Sequence, residues 1–374
     1  MNLARLDTPL LRRAVLAAFV AIHVLAVLAP ADVLAPVDPW RIGRALWQGR
    51  VPYRDFALEY PPGALLAFLL PGAVPHGLAR AVLALEAVAA EAAVLWFVLR
   101  RFDGALWRWV PLSMLLFPFL AGGFDALPMA AIAGSTLLLA AGGAGAAGGW
   151  WLAGLGAVIK LSPGAAWVWG RARLGVAAAA LAVTAAVLIA PLFLARHPDD
   201  AYLGYSLHRG VQVESVAATT VWLGRAVTGG TSRFAYRFKA YEIDGAGGAA
   251  DVWALAGAAG LAVVAWRAGR RGPADPWLAA FTAVVLVIMA NKVLSPQFIA
   301  WPAPLAAVLG GRWFQAWLAV AGLTLAAYVG TGPTWILTCA AVRNAALVAV
   351  AGAGLRTLWV SRSCGRPGTA AAGS

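Results

Sequence analysis

Eleven long apolar stretches divide this sequence, and they constrain its fold more than any other feature. A helix needs about 20 apolar residues to cross a bilayer, and most of the stretches reach or approach that length. The chain is 62% hydrophobic and 12% charged, whereas soluble domains carry roughly 25% charged residues. The sequence therefore predicts an all-α polytopic membrane protein. The stretches are residues 11–29, 79–99, 107–121, 126–142, 150–170, 174–194, 252–266, 277–291, 297–310, 313–330 and 334–358.

Basic residues predict how the chain is oriented, because cytoplasmic loops of membrane proteins are enriched in Lys and Arg. Three arginines, Arg5, Arg12 and Arg13, lie before or at the start of the first stretch and place the N-terminus in the cytoplasm. The formal net charge of +13 is then explained by cytoplasmic loops and needs no nucleic-acid partner. The basic residues assigned to the cytoplasmic side include Arg5, Arg12, Arg13, Arg100, Arg101, Arg108, Arg171, Arg173, Arg267, Arg270 and Arg271.

The stretch 150–170 decides whether these basic turns share one side. A full crossing would put Arg171 and Arg173 outside. The sequence "VIKLSPG", residues 158–164, offers a break in the middle, because Pro163 removes a helix hydrogen bond and Lys160 is costly in lipid. We therefore predict a re-entrant hairpin of two short helices, together with about ten crossings.

This topology predicts one transmembrane domain, residues 1–360, with outer loops 30–78 and 195–251 and a flexible cytoplasmic tail, 361–374. Four histidines and two cysteines are scattered without metal-binding spacing, so no metal and no other cofactor is predicted. The predicted partners at this point are the membrane lipids.

Polar residues gather on the predicted outer side, in four separated segments. These are "VPYRDFALEYPPG" (51–63), "FDALP" (124–128), "YSLHRGVQVES" (205–215) and "NKVLSPQFIAWPAPL" (291–305). Two of them contain prolines that interrupt or begin helices. Four segments that bring acids, bases and broken helices to one surface indicate a functional site there.

Three cations, Lys160, Lys292 and Arg343, lie within or at the edge of apolar stretches. An ionisable group at membrane depth is costly and usually marks a polar pathway or site. The structural alternative is an internal ion pair with Glu86 or Glu91. A transporter or a flippase for lipid-linked sugars would also have broken helices and intramembrane charge, but no internal repeat is visible and the charges gather at the outer end.

The outer segments resemble those of the integral-membrane glycosyltransferases of the C superfamily, in particular glycosyltransferase family 87, whose members are polyprenyl-phosphate-mannose-dependent mannosyltransferases. The "KLSP", "LHRGVQVES" and "KVLSPQF" sequences are similar to further motifs of that family. The first and most specific motif comprises Gly49, Pro52, Tyr53, Arg54, Asp55, Phe56, Glu59, Tyr60, Pro61, Pro62 and Gly63.

This resemblance implies an enzyme of the plasma membrane of a bacterial type, active on the extracytoplasmic face. Such an enzyme transfers a sugar, mannose by resemblance, from a polyprenyl-phosphate donor to a glycolipid or glycan acceptor and inverts the anomeric centre. The alternatives are the transporter or flippase and a catalytically inert scaffold of the same fold.

The resemblance places the catalytic acid in the first outer loop, where Asp38 is the first candidate and Asp32 the alternative. A carboxylate can accept the proton of the acceptor hydroxyl, and fixed cations can stabilise the departing lipid phosphate. The predicted phosphate-binding residues are Arg209, Lys292, Lys160 and Arg343. The predicted wall of the site comprises Tyr53, Arg54, Asp55, Glu59, Tyr60, Asp125, Gln212, Glu214 and Gln297.

Overall fold

The computed structural model describes residues 9–28, 38–197, 200–271, 275–330 and 332–360. The predicted tail 361–374 lies outside these residues. The chain forms a helical bundle, with one β-hairpin near one end. The helices are α1 (Pro9–Leu28), α2 (Asp38–Trp47), α3 (Leu66–Ala73), α4 (His76–Phe97), α5 (Ala105–Leu120), α6 (Ala126–Ala141), α7 (Gly143–Ile159), α8 (Leu174–Leu194), α9 (Tyr202–His208), α10 (Val216–Val227), α11 (Gly247–Arg271), α12 (Pro276–Ala290), α13 (Ala303–Leu309), α14 (Gly311–Val329) and α15 (Pro333–Val360).

Each predicted apolar stretch overlaps a helix of the bundle, so the prediction of a helical architecture is confirmed. Within the described residues, four helices are long and apolar enough to cross a membrane: His76–Arg101, Leu174–Leu194, Gly247–Arg270 and Pro333–Val360. The other apolar helices are shorter. The number of crossings and the side of the membrane that each end faces stay predictions.

The core is built around α12, which is buried along nearly its whole length. Phe281 on this helix packs edge-on against Trp317 of α14, with 5.3 Å between ring centroids. The Trp317 indole Nε1–H donates to the carbonyl of Ile299 at 3.0 Å, so this buried polar atom is satisfied. By contrast, α8 buries few side chains against the rest of the bundle and presents an apolar surface outward.

The break predicted near Lys160 is present. Helix α7 ends at Ile159, Lys160 is extended, and a 3-10 segment follows at Ser162–Val168. The indole Nε1–H of Trp167 in this segment donates to the carbonyl of Trp150 at 3.2 Å, which places the segment alongside α7. The second short helix of the predicted hairpin is thus of the 3-10 type, and the path of the hairpin through a membrane stays a prediction.

The arginine-rich turns meet at one end of the bundle, here called the basic end and defined by Arg108, Arg171, Arg267, Arg312 and Arg356. The Arg171 side chain donates to the carbonyl of Gly269 at 2.9 Å, and Arg267 Nε–H donates to the carbonyl of Leu358 at 2.9 Å. These contacts tie the start of α8 and the ends of α11 and α15 together. Basic residues far apart in the chain therefore share one end, which is what a common cytoplasmic face requires.

Helices α2 and α3, which lie in the predicted first outer loop, pack backbone to backbone. A Cβ on Gly43 would lie 1.9 Å from the carbonyl oxygen of Phe68, so no larger residue fits there without movement. The Trp40 indole donates to the carbonyl of Val74 at 3.1 Å and stacks edge-on with His76, at 4.8 Å between centroids. The start of α2 therefore lies beside the end of α3 and the start of α4.

The predicted second outer loop contains a β-hairpin that the all-α prediction missed. Strand β1 (Phe234–Arg237) pairs with the antiparallel strand β2 (Ala240–Ile243). The two turn residues, Phe238 and Lys239, have φ angles of 49° and 62°. Positive φ at both turn positions is typical of a type I′ turn, which Asn-Gly usually supplies. Because Phe-Lys gives no such signal, sequence analysis could not recognise the hairpin.

Candidate active site

A cavity of about 650 Å³ lies at the end of the bundle opposite the basic end. All four polar segments predicted from the sequence border it or support it, and the β-hairpin forms another part of its wall. Its polar lining residues are Glu59, Tyr60, Lys160, Ser162, Tyr202, Tyr205, Ser206, Arg209, Gln212, Glu214, Tyr236, Lys239, Tyr241, Asn291, Lys292, Ser295, Gln297, Trp301 and Tyr328.

The first part of the motif at 51–63 forms a tight turn outside the cavity lining. The Asp55 carboxylate accepts from the backbone N–H of Val51 at 2.7 Å and from Arg54 Nε–H at 3.0 Å. These two hydrogen bonds, that from Arg54 first, lower the pKa of Asp55 to about 2. Tyr53 is buried and donates its hydroxyl to the carbonyl of Tyr60 at 2.8 Å. The contacts of Tyr53, Arg54 and Asp55 therefore shape the loop.

The second part of the same motif reaches the cavity. Glu59 and Tyr60 line it, and the Lys239 ammonium of the hairpin turn lies 3.3 Å from Glu59 Oε1. Burial raises the pKa of Glu59, but hydrogen bonds from Tyr205 and Tyr60 and the charge of Lys239 lower it, and the net shift is downward. Glu59 therefore stays a carboxylate at neutral pH. Its contact with Lys239 joins the two predicted outer loops across 180 residues.

Lys160 enters the cavity from the break after α7. Its ammonium donates to Asp125 Oδ1 at 2.7 Å, and the Trp301 indole donates to the same oxygen at 3.0 Å. The ammonium also lies 5.1 Å from the centre of the Phe124 ring and 4.6 Å from that of Phe298. Its partner is thus Asp125, and neither Glu86 nor Glu91 pairs with it.

Glu91 instead forms a separate buried polar cluster far from Lys160. Its carboxylate accepts from the Trp109 indole at 2.6 Å and from the Ser113 hydroxyl at 2.6 Å, and it lies 2.8 Å from His23 Nε2. These contacts link α1, α4 and α5. Glu91, one of the two acids that the sequence offered as partners for the three cations, therefore holds helices together instead.

Arg209 and Lys292 also line the cavity and lie close together, since the Lys292 ammonium contacts the carbonyl of Leu207, two residues before Arg209. Burial lowers the pKa of Lys292 most, the charge of Glu242 raises it, and the charge of Arg209 lowers it further. Each cation also donates to a backbone carbonyl, Arg209 to Phe238 at 3.4 Å and Lys292 to Leu207 at 3.0 Å. These bonds fix two positive charges next to one another.

Glu242 supports this pair and was missed by sequence analysis. Its side chain is buried and accepts from the backbone N–H of Gly210 at 3.0 Å. A Cβ on Gly210 would lie 2.4 Å from Glu242 Oε2, so glycine is needed for this approach. Glu242 comes from strand β2, and only recognition of the hairpin could have placed it here.

Glu214 lies in the cavity wall beside Gln212, whose amide donates to Glu214 Oε2 at 2.6 Å. Burial raises the pKa of Glu214 to about 7, although the charges of Arg343 and Arg209 and the Gln212 hydrogen bond lower it. Near neutral pH this carboxyl is therefore close to the midpoint of its titration and can donate or accept a proton.

Arg343 stands behind Glu214 and does not line the cavity. It is fully buried, donates to the backbone carbonyl of Glu214, and is accompanied by Asn344, which donates to the same carbonyl at 3.1 Å. Asn344 also donates to the backbone carbonyl of Ser215 at 3.1 Å and to the Thr219 hydroxyl at 2.8 Å. Sequence analysis missed Asn344, which holds the 209–215 loop together with the predicted Arg343.

Three buried polar atoms near Glu214 have no hydrogen-bond partner within the described part of the chain. They are Arg209 Nε, Gln212 Oε1 and Arg343 Nη1. Buried polar groups are normally paired, so Arg209 Nε and Gln212 Oε1, whose residues line the cavity, offer a donor and an acceptor to a polar ligand. The charge of Arg209 suits an anionic group.

The two predicted catalytic acids fall at the edge of what the structure describes. Asp38 is the first residue of α2, two residues before Trp40, while its side chain and the whole of Asp32 lie outside the described residues. Among the other predicted wall residues, Gln212, Glu214 and Gln297 line the cavity, and Asp125 lies behind Lys160.

A family model described as glycosyltransferase family 87 matches residues 58–296, more than half of the chain. The chain belongs to glycosyltransferase family 87. The resemblance predicted from the outer motifs is thus confirmed, and family membership implies glycosyltransferase activity. The matched region contains Glu59, Lys160, Arg209, Glu214 and Lys292, so it spans most of the cavity wall of this glycosyltransferase.

Other comparisons add no competing identity. Searches of curated proteins and of solved structures each give no significant match. The family match supports the predicted enzyme and gives no support to the transporter or flippase alternative. In the described residues no three His, Cys, Asp or Glu side chains are grouped so that they could hold a metal ion. That the glycosyltransferase needs no metal or other cofactor stays a prediction.

Proposed function

We propose that this glycosyltransferase transfers a sugar, mannose first among the candidates, from a polyprenyl-phosphate donor to a glycolipid or glycan acceptor and inverts the anomeric centre. The observation that carries the proposal is that Arg209 and Lys292 both line a 650 Å³ cavity, each held by a hydrogen bond to a backbone carbonyl. A lipid phosphate gains negative charge as its bond to the sugar breaks. Fixed cations stabilise that charge more strongly where water is scarce.

The shape of the cavity also suits a donor with a lipid tail. Leu161 and Tyr328 line the cavity and are 52% and 47% exposed. The cavity therefore offers an exposed aliphatic and an exposed aromatic side chain to an apolar ligand. A polyprenyl chain could lie there in the bilayer while its phosphate reaches Arg209 and Lys292.

The proposed reaction is a single displacement. A carboxylate of the first outer loop, Asp38 or alternatively Asp32, accepts the proton of the acceptor hydroxyl as its oxygen attacks the anomeric carbon. The bond between that carbon and the phosphate oxygen breaks, and the electron pair leaves with the lipid phosphate. Attack opposite the leaving group inverts the anomeric centre. Lys160, which also lines the cavity, would bind a second polar part of the substrates.

The cation pair gives the experiment that tests this function. Arg209→Ala and Lys292→Ala should each weaken use of polyprenyl-phosphate mannose by about 1.5 kcal/mol or more, which is the lower range for a charged hydrogen bond. The measurement is donor affinity and transfer rate of purified protein, with Arg225→Ala as the control. Arg225 lies in α10 and does not line the cavity.

If both variants match wild type in donor affinity and transfer rate, Arg209 and Lys292 serve only to pack the loop and do not bind the donor phosphate. Their elution as monodisperse protein in detergent, compared with Arg225→Ala, separates loss of fold from loss of donor use. A wild-type protein that binds no polyprenyl-phosphate sugar would contradict the proposed function itself.

We further propose that the cavity faces the extracytoplasmic side of a bacterial-type plasma membrane and that the N-terminus is cytoplasmic. In a variant with Cys339 and Cys364 replaced by serine, a cysteine at Ala57 or Ser206 should react with an impermeant thiol reagent added to intact cells. One at Gly269 should react only after permeabilisation. All three positions are exposed in the structure, so differences in labelling report sidedness. The opposite pattern would reverse the orientation and place the cavity in the cytoplasm.

A further inference from the structure

A second cavity, of about 690 Å³, lies at the basic end between α14 and α15. It is a groove lined by Arg312, Gly352, Ala353, Arg356, Thr357 and Val360. Nothing in the proposed sugar transfer uses it, because the sugar-transfer cavity is bounded by the opposite ends of the same two helices.

The groove places one arginine from each helix at its rim. Arg312 donates to the Thr357 hydroxyl at 3.0 Å and lies 4.7 Å from the centre of the Trp313 ring, so its side chain is held in place. Arg356 is exposed. Neither guanidinium forms an ion pair with a carboxylate among the described residues. Two arginines without an acidic partner, one of them held in position, attract an anion.

The surroundings of the groove favour a lipid as the source of that anion. Trp266 and Trp359 stack at this end with 5.2 Å between centroids, and Arg270 lies 4.9 Å from the Trp266 ring. Tryptophans at the ends of apolar helices are typical of the membrane–water interface. Above the groove, α15 exposes Val348, and Gly352 leaves open space around its Cα.

These observations define a site with a charged head and an apolar continuation. We propose that the groove between α14 and α15 binds the phosphate of an anionic phospholipid at Arg312 and Arg356, with an acyl chain lying along the exposed face of α15. Basic pockets between transmembrane helices commonly bind anionic lipid head groups. The occupant is a bilayer phospholipid and not the sugar donor, because the groove and the sugar-transfer cavity lie at opposite ends of the bundle.

The test titrates phosphatidylglycerol into detergent-purified full-length protein and follows Tm. Phosphatidylcholine with the same acyl chains is the zwitterionic control, and inorganic phosphate is the free-anion control. We expect phosphatidylglycerol to raise the Tm of wild type. Arg312→Gln/Arg356→Gln should need about 30-fold more lipid for the same rise, since each arginine near a lipid surface contributes roughly fivefold.

A matched variant, Arg101→Gln/Arg173→Gln, removes two exposed arginines from other parts of the same end. It should respond to phosphatidylglycerol as wild type does. Each rise is measured from the variant's own Tm in phosphatidylcholine, which separates lipid binding from a general loss of stability. Equal weakening in both double variants, no weakening in Arg312→Gln/Arg356→Gln, or an equal Tm rise with inorganic phosphate would each overturn the proposal.

Discussion

The Asp38→Asn variant is expected to transfer sugar about 100 to 10,000 times more slowly than wild type, because this is the usual cost of losing a general base. Asparagine keeps the size and most hydrogen bonds of the side chain but cannot accept the proton of the acceptor hydroxyl. Donor affinity should stay near the wild-type value, since the cations Arg209 and Lys292 remain. Initial rates at saturating donor, with separately measured donor affinity, test this split.

Four matched variants locate the base if it is not Asp38. Asp32→Asn tests the alternative acid of the same loop. Asp55→Asn should cost less, because Asp55 holds the 51–56 turn outside the cavity. Glu59→Gln and Glu214→Gln test the two acids that line the cavity in the structure. An Asp38→Asn protein of near-normal rate would remove Asp38 from the role, and the slowest of the other variants would then carry it.

Replacement of Lys160 by methionine should lower the free energy of unfolding by about 3–5 kcal/mol, which is the usual cost of removing one partner of a buried ion pair. The reason is Asp125, which is 2% exposed and would lose its ammonium partner at 2.7 Å. The double variant Lys160→Met/Asp125→Asn should recover most of the stability, because it removes the unpaired charge and can keep an acceptor for the Trp301 indole. Unfolding in detergent, followed by tryptophan fluorescence, compares the three proteins.

The double variant also separates stability from substrate binding. Lys160 lines the cavity, so a protein with recovered stability should still use the donor or the acceptor less well than wild type. Full recovery of both stability and transfer would limit Lys160 to a structural role. A single variant Lys160→Met as stable as wild type would contradict the buried pair that the structure shows.

Local patterns in the sequence were sufficient to predict much of the helical architecture. The stretch 174–194 coincides with α8, and the stretch 277–291 differs from α12 by one residue at each end. The interruption at Lys160 was also predicted, because proline and a charged residue within an apolar stretch act over only a few residues. Long apolar runs and helix breakers are local signals, so they can be recognised in the sequence without knowledge of the fold.

The pairing of distant polar groups could not be predicted in the same way. Nothing local links Lys160 with Asp125, which lie 35 residues apart, or Glu91 with His23, which lie 68 apart. Which acid meets which cation depends on how the helices pack. Glu242 and Asn344 were missed for the same reason, since each acts on the 209–215 loop from an element that is distant in sequence.

The predicted position of the catalytic acid depends on both the family resemblance and the packing of the first loop. The family resemblance assigns it to the first outer loop, and the structure shows that this loop reaches the cavity through Glu59 and Tyr60. The start of α2, where Asp38 lies, is beside Val74 at the far end of α3. The choice between Asp38 and Asp32 therefore rests on the rates of the variants.

The most direct test of sugar transfer from a lipid phosphate incubates purified wild-type protein with each of a panel of polyprenyl-phosphate sugars and with membrane glycolipid acceptors. Mass spectrometry detects the elongated acceptor, and NMR determines the configuration of the new glycosidic bond. We predict transfer from polyprenyl-phosphate mannose with inversion at the anomeric carbon. No transfer from any lipid-phosphate donor, or a product that retains the donor's configuration, would contradict the account.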